Sequence, residues 1–382
     1  MTFAPSTLLT SRRLRLALAL ETSGCDALVV THLPNLFYLT NFAGSAGAAI
    51  VSPAGLTLVL DARYVAEAEH LRDSEHGPRD ARLVRVESSY DQTIAGVLRG
   101  IGACRAGFEA DHLAFGRHAR LRTGLGAGTE LVPTSGLVER LRQLKDAHEI
   151  AALRTAARLV SRVALAVVSH VKAGLRERDL AALIDCEMRR AGFSRPAFDT
   201  IVGSGPNGAL PHATASERIL RAGDLVVLDF GGVRDGYCAD LTRTVSIGPA
   251  AEEQRRIYQA VLEAQAAALA SVRSGVTTGE IDRAARDVLE SRGLGAGFVH
   301  GTGHGLGIEV HELPSLTPIR AEDRAGDPPR PWAVPVEPGM VFTVEPGTYL
   351  PGWGGVRIED DVLVTNEGCE VLTGAPRELI ER

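Results

Sequence analysis

The stretch Leu228–Thr244, LDFGGVRDGYCADLTRT, decides how the second part of this chain is read. DLVVLD, which ends at Asp229, and YCADLTRTVSI, which contains Asp240, are rich in branched and aromatic residues and read as two strands. VRDG between them reads as a turn. A hairpin centred between Arg234 and Asp235 puts Asp229 directly opposite Asp240. A two-residue Asp235–Gly236 turn makes the pair diagonal. In either register the two side chains share one face of the sheet. Two carboxylates that close raise each other's pKa unless a cation lies between them.

The same pattern recurs further along. MVFTVE ends on Glu345, and GVRIEDDVLV carries Glu359. Acids are normally driven to the surface, so acids set among Val, Ile and Phe need a compensating charge. Arg357 and Glu359 are two apart and face one side of a strand. An arginine there either orients the acid or binds a substrate carboxylate. Asp360 and Asp361 flank Glu359, so spacing alone does not single out one acid. HGTGHGLGIEVH, from His300 to His311, has four glycines in its first eight residues. It cannot form a good helix, and such glycines let backbone approach another group closely. His300 and His304 share a face if the segment is extended. Asp229, Asp240, His304, Glu345 and Glu359 together read as a two-metal hydrolase centre. A sulfur-free donor set suits Mn²⁺, Co²⁺ or Zn²⁺.

In this order, LDFGG…GYCADLTRT, HGTGHGLGIEVHE, VEPG and VRIEDD resemble the pita-bread metallopeptidases, in the aminopeptidase P and prolidase branch that is related to creatinase. DALVVTHLPNLFYLTNFAGSAGAAIVSPAGLTLVLDARY, residues 26–64, is similar to the creatinase-type N-terminal domain, so the resemblance covers nearly the whole chain. It implies a dinuclear site, with Asp229 on one metal, His304 and Glu345 on the other, and Asp240 and Glu359 bridging. Manganese is the metal it favours. It implies that His212, in LPHATASE, and His311 are active-site histidines. His300 and Arg357 would lie around a proline pocket, and Tyr349 near the substrate's N-terminal side. The implied activity is hydrolysis of the bond between an N-terminal residue and proline, as an Xaa-Pro dipeptidase or an Xaa-Pro aminopeptidase, with Glu345 taking the nucleophile's proton and His212 and His311 serving the intermediate. The substrates would be short proline-containing peptides, and the assembly a homodimer or homotetramer. Three relatives are the alternatives. A methionine aminopeptidase shares the five ligands but normally lacks the N-terminal domain. A creatinase-like hydrolase lacks the full metal set, and a non-catalytic binding relative would have lost ligands.

The chain's 382 residues exceed one ordinary domain. The expectation is an α/β (α+β) protein. Residues 1–140 form a creatinase-like α/β domain and residues 141–382 a pita-bread catalytic domain. DALVV, GAAIVS and LTLVLD are expected strands, YVAEAEHLRD a helix, and the segment around LRLALAL an amphipathic first helix. DAHEIAALRTAARLVSRVALAVVSHV is a long helix capped by its Asp. VKAGLRERDLAALIDCEMRRAGF, from Val171, aligns without gaps on VRSGVTTGEIDRAARDVLESRGL, from Val272, so the second domain has pseudo-two-fold symmetry. Asp229 and Asp240 belong to its first half; His304, Glu345 and Glu359 belong to its second.

A net charge of −6 argues against nucleic acid or an anionic membrane as partner. No apolar run approaches a membrane span, and no signal-peptide cleavage site is evident. Five scattered cysteines without a CxxC spacing point to a reducing cytoplasm. The proline-rich segment Thr317–Pro335, with Trp332, is either a surface excursion or a wall limiting substrate length.

Overall fold

The computed structural model describes residues 2–318 and 334–382. Most of the proline-rich segment, Trp332 included, lies outside the described residues. The chain divides into two units, Thr2–Arg142 and Gln143–Arg382. Among the described residues no helix is long and apolar enough to cross a membrane.

The N-terminal unit runs α1 (Ser6–Ser23), β1 (Ala27–Val30), α2 (Leu33–Thr40), β2 (Ala48–Ser52), β3 (Gly55–Leu60), α3 (Val65–Asp73), β4 (Arg82–Arg85), α4 (Tyr90–Gly100), β5 (Arg105–Glu109), α5 (Phe115–Leu125), β6 (Glu130–Thr134) and α6 (Leu137–Gln143). Its mixed sheet is ordered β4–β3–β2–β1–β5–β6. The apolar runs DALVV, GAAIVS and LTLVLD supply its centre, where they are buried from both sides. Helix α1 departs from the expected amphipathic pattern. It buries Arg12 and Arg13 while Leu14 and Leu18 stay 63% and 65% exposed. The Arg12 guanidinium lies 4.3 Å from the Tyr38 ring centroid and donates to the Tyr38 carbonyl at 2.7 Å. Arg13 pairs with Asp80 at 2.6 Å. A stacked and paired guanidinium tolerates burial, which a charge-outward pattern does not anticipate.

The C-terminal unit continues with α7 (Ala147–Val168), α8 (Glu177–Arg190), β7 (Arg195–Pro196), β8 (Ile201–Ser204), β9 (Leu225–Arg234), β10 (Tyr237–Ser246), α9 (Glu252–Ser271), α10 (Thr278–Ser291), β11 (Gly303–Gly305), β12 (Glu312–Leu316), β13 (Val341–Val344), β14 (Gly347–Leu350), β15 (Gly354–Arg357), β16 (Asp360–Val364), β17 (Cys369–Val371) and β18 (Ile380–Glu381). Asp146 caps α7 by accepting the N–H groups of His148 and Glu149, each at 3.0 Å, while Glu149 accepts the Asp146 N–H at 3.1 Å. This reciprocal box satisfies donors a helix start otherwise leaves orphaned.

Two helix-on-sheet layers follow. In the first, α7 and α8 bury Val160, Val163 and Ile184 against Leu228 and Leu241 of a sheet ordered β18–β10–β9–β7, with β8 also on β9. In the second, α9 and α10 bury Val261, Ala264 and Ile281 against Phe342 and Val362 of a sheet ordered β12–β11–β13–β16–β17. The repeat read from sequence has a structural counterpart. Gly174 and Gly275 occupy matched positions and have φ of 95° and 87°. The matched residues Arg176 and Thr277 each form an antiparallel bridge, to Ile219 and Pro335.

Two readings of the strands need correction. Asp229 does not close its strand: β9 runs on through Phe230, Gly231 and Gly232 to Arg234. Those glycines are demanded by crowding, since a side chain at Gly231 would run into the Ala239 carbonyl and one at Gly232 into Met188 and Phe193. Nor do Arg357 and Glu359 share a strand. β15 ends at Arg357, β16 begins at Asp360, and Glu359 sits in the joint between two sheets.

Candidate active site

The β9–β10 hairpin settles the register left open by the sequence. Arg234 faces Tyr237 across the turn, Asp229 faces Thr242, and Asp240 faces Gly231. The two acids are therefore diagonal neighbours on one face. Asp235 and Gly236, with φ of 52° and 88°, make the two-residue turn, which needs positive φ at both positions.

Asp240, His304 and Glu359 each offer one ligand atom, all within 4.8 Å of one another. His304 Nε2 lies 3.8 Å from Asp240 Oδ2 and 3.3 Å from Glu345 Oε1. Its Nδ1 bonds the Gly305 carbonyl at 3.1 Å, and a carbonyl only accepts, so Nδ1 carries the proton and Nε2 presents its lone pair to the acids. The flanking glycines permit this placement: a side chain at Gly303 would strike the Thr343 carbonyl, and one at Gly305 the Leu313 carbonyl. Asp229 Oδ2 is paired with Arg357. All five residues line one cleft of about 640 Å³, together with His212, His300, His311 and Arg357.

Three acids compete at 359–361, and their partners separate them. Asp360 is saturated by Arg243, Arg377, Gln265 and Thr373, at 2.6–2.8 Å. Asp361 Oδ2 accepts the Asp240 N–H at 3.2 Å. Glu359 faces the cleft, accepting the Thr242 hydroxyl at 2.6 Å.

The electrostatics favour a cation. Burial, then Asp229 and Asp361, push the Asp240 carboxyl well above the ordinary range. Burial, then Asp240 and Glu345, do the same to Glu359. Burial pushes Glu345 up and His304 down. Among the described residues, buried Asp229 Oδ1, Asp240 Oδ1 and Asp361 Oδ1 have no hydrogen-bond partner. Orphaned carboxylate oxygens beside a deprotonated imidazole nitrogen fit a divalent metal, which would satisfy them and offset their repulsion.

Behind this set lies a hydrogen-bonded chain. Arg357 donates to the Tyr349 hydroxyl, leaving that hydroxyl's proton for His300 Nε2, 2.8 Å away. His300 Nδ1 then donates to the Gly301 carbonyl at 2.7 Å. Tyr349 is buried, and its hydroxyl meets the cleft through His300 and Arg357, which line it. Burial pushes its hydroxyl up to about 12. His311 packs edge-on against His304, with ring centroids 4.2 Å apart, and burial together with His304 and His212 pushes its pKa down to about 4. Sequence reasoning passed over Thr242, whose hydroxyl donates to Glu359 and accepts from Arg357 Nε at 3.2 Å. The available signal was its spacing, two residues beyond Asp240 on the same face. It also passed over Asp282, which accepts the Thr302 N–H and hydroxyl, each at 3.0 Å, and so anchors the glycine-rich segment.

The model of metallopeptidase family M24 matches residues 151–366, and that of the creatinase/prolidase N-terminal domain matches residues 12–144. The chain belongs to metallopeptidase family M24. Solved structures superpose along nearly the whole chain. An Xaa-Pro dipeptidase from Bacillus anthracis superposes with a TM-score of 0.91 at 36% identity, over 98% of this chain and 100% of that one. An X-Pro aminopeptidase from Thermotoga maritima superposes with a TM-score of 0.84 at 32% identity, over 95% and 99%. An uncharacterized peptidase of Bacillus subtilis is 38% identical over 94% of this chain and 96% of its own length.

Proposed function

We propose that this M24 metallopeptidase is an Xaa-Pro peptidase that hydrolyses the bond between an N-terminal residue and proline. The observation that carries the reading is the convergence of Asp229, Asp240, His304, Glu345 and Glu359 on one cleft, with buried carboxylate oxygens unpaired and two further histidines on its wall. The likeness to an Xaa-Pro dipeptidase and an X-Pro aminopeptidase supports the proline specificity. In this reading residues 1–140 are the creatinase-type domain and 141–382 the catalytic one. The five residues hold two divalent ions, of which manganese is our choice. Free cysteines support a reducing, cytoplasmic setting for the enzyme in this reading, and the assembly proposed is a homodimer or homotetramer.

When bound, the ions supply Lewis acidity toward the scissile carbonyl and the attacking water. Glu345, pushed up by burial, takes the proton of that water. Proline's nitrogen in a peptide bond carries no N–H and must gain a proton to leave. Neutral His311 and cleft-facing His212 stabilise the intermediate and pass that proton. His300 and Arg357 spend their hydrogen bonds on Tyr349, Asp229 and Thr242, so they shape the proline pocket rather than read the substrate's polar groups.

The test measures metal content and rates on Xaa-Pro and Xaa-Pro-Xaa peptides. Two ions per chain, loss of activity on chelation and recovery with Mn²⁺ or Co²⁺ are expected. The ratio of the two rates distinguishes a dipeptidase from an aminopeptidase. Full activity in verified metal-free protein overturns the mechanism.

A further inference from the structure

One buried carboxylate has no task in this chemistry. Glu177 opens α8 and is fully buried, and it lies outside the cleft wall. Its Oε1 accepts the Ser204 N–H at 2.8 Å and the Ser204 hydroxyl at 2.6 Å. Its Oε2 accepts the Ser216 N–H at 3.0 Å and the Ser216 hydroxyl at 2.6 Å. Asn207 Nδ2 reaches both oxygens, at 3.2 and 3.0 Å. A buried acid is costly unless its lone pairs are used, and here each oxygen is occupied.

The bonded residues are the two ends of one loop. From Ser204 the chain makes a short 3₁₀ turn, Gly205–Ala209, and returns to Ser216 past Pro211, His212, Ala213, Thr214 and Ala215, all of which line the cleft. Arg218 braces the first end, donating to the Ser204 hydroxyl and to Asp224, each at 2.6 Å. The middle of the loop is held from the metal side. Arg357 donates to the Pro211 carbonyl at 3.2 Å, and a side chain at Gly355 would strike the Gly208 carbonyl.

The internal repeat separates helix-building from loop-holding. Thr278 matches Glu177 in the gap-free alignment, opens α10 and is equally buried. An acid at this first helical position is therefore not required to start the helix in this fold; α10 starts with Thr278 there and takes its cap from Thr277 and Glu280. The half that has an acid there is the half whose following loop carries His212.

We propose that Glu177 is a positioning residue for the reaction: its carboxylate clamps both ends of the loop Ser204–Ser216 and thereby holds His212 over the metal cleft. The idea rests on His212 acting on the bound substrate. Glutamine is the informative replacement. It keeps the volume but puts an NH₂ where the N–H of Ser204 or of Ser216 points, and a backbone N–H cannot turn away as a hydroxyl can.

The experiment is a double-mutant cycle on the metal-loaded enzyme, reading kcat, KM, metal content and Tm. Glu177→Gln should lower kcat roughly 10- to 100-fold with metal content intact and KM within about threefold, the pattern of a lost transition-state contact. In a His212→Ala background the same change should cost less than about twofold, because two residues serving one function are not additive. Ser216→Ala should lower kcat by a smaller factor, and Ser216→Thr, which keeps the hydroxyl, should restore it. An equal loss with and without His212 overturns the proposal and leaves His212's role standing. Normal turnover in His212→Ala overturns that role and the proposal with it. Should Glu177→Gln fail to fold, Ser216→Ala in the two backgrounds decides the matter by the same comparison.

Discussion

The two halves of the catalytic unit deliver their ligands by different means. The first half places Asp229 and Asp240 in mid-strand, on a ladder that pairs every residue from Leu225 to Arg234 with one from Ser246 to Tyr237. The second half places His304 beside a register shift, Glu345 just past a strand end, and Glu359 in the joint between two sheets. A ladder fixes side chains through backbone bonds that do not depend on those side chains. Bulges and joints have sparser backbone bonds, such as Glu345 N–H to the Thr302 carbonyl and Glu359 N–H to the Thr242 carbonyl, and add side-chain ties: Thr343 to Glu345 at 3.1 Å, Thr242 to Glu359, and Arg243 to the Glu359 carbonyl. Removing an acid should therefore leave the first half's scaffold intact and loosen the second's.

The largest effect tests this directly. Asp240→Ala and Glu359→Ala should each abolish activity and metal occupancy. In the chelated state, however, Tm should hold or rise for Asp240→Ala, because a buried, repelled carboxyl is gone. It should fall for Glu359→Ala, because the Thr242 hydroxyl loses its acceptor. Equal Tm changes would break the contrast. His311→Ala, which removes no ligand, should keep the metals and slow turnover by roughly two to four orders of magnitude; metal loss there would reassign the residue.

The next effect is the pH dependence of metal-free protein. The folded-state pKa values of Asp240, Glu359 and Asp361 are raised, chiefly by burial. Groups raised in this way stabilise at low pH and lose that contribution as pH rises through their folded values. His300, His304 and His311 are lowered by burial and act in the opposite sense, over the range around pH 6.5 where an unfolded imidazole still binds protons. Above that range the histidines no longer oppose the raised carboxyls, and the slope has the carboxyls' sign. Chelated protein should therefore lose Tm as pH rises above that range, and added Mn²⁺ should flatten the curve. A Tm that climbs with pH after chelation would contradict the buried-charge account.

The smallest effect concerns the tie between halves. Thr242→Val should cost about 1–3 kcal/mol of stability by denaturant titration, since Glu359 and Arg357 Nε both lose a buried partner. A change within about 0.5 kcal/mol would show that neither depends on it.

Much of this site was legible because alternation by twos is a strong constraint. Asp229 and Asp240 share a face in either of the two two-residue-turn registers, so their meeting did not require knowing which of those turns forms. The turn itself was not legible: only positive φ at Asp235 and Gly236 chose between the two pairings. The break after Arg357 was also hidden, since VRIEDDVLV reads as one strand by composition. The chain nonetheless brings Arg357 and Glu359 to the same hydroxyl from two sheets. Buried Arg12 and Glu177 escaped for a common reason. Patterning sends charge outward, and what keeps these two inside is partners far away in sequence: Tyr38 for one, Ser204 and Ser216 for the other.

The Asp235–Gly236 tip also sets how this hairpin tolerates changes of length. Side chains alternate, so one residue gained or lost between Asp229 and the tip would turn Asp229 to the opposite face while Asp240 stayed in place. The same holds for the arm between the tip and Asp240. Insertions at the tip lengthen the loop without touching either arm. The hairpin therefore behaves like a coding frame with one permissive site: tip insertions should be silent for metal binding, two-residue arm insertions partly tolerated, and single-residue arm insertions fatal to it.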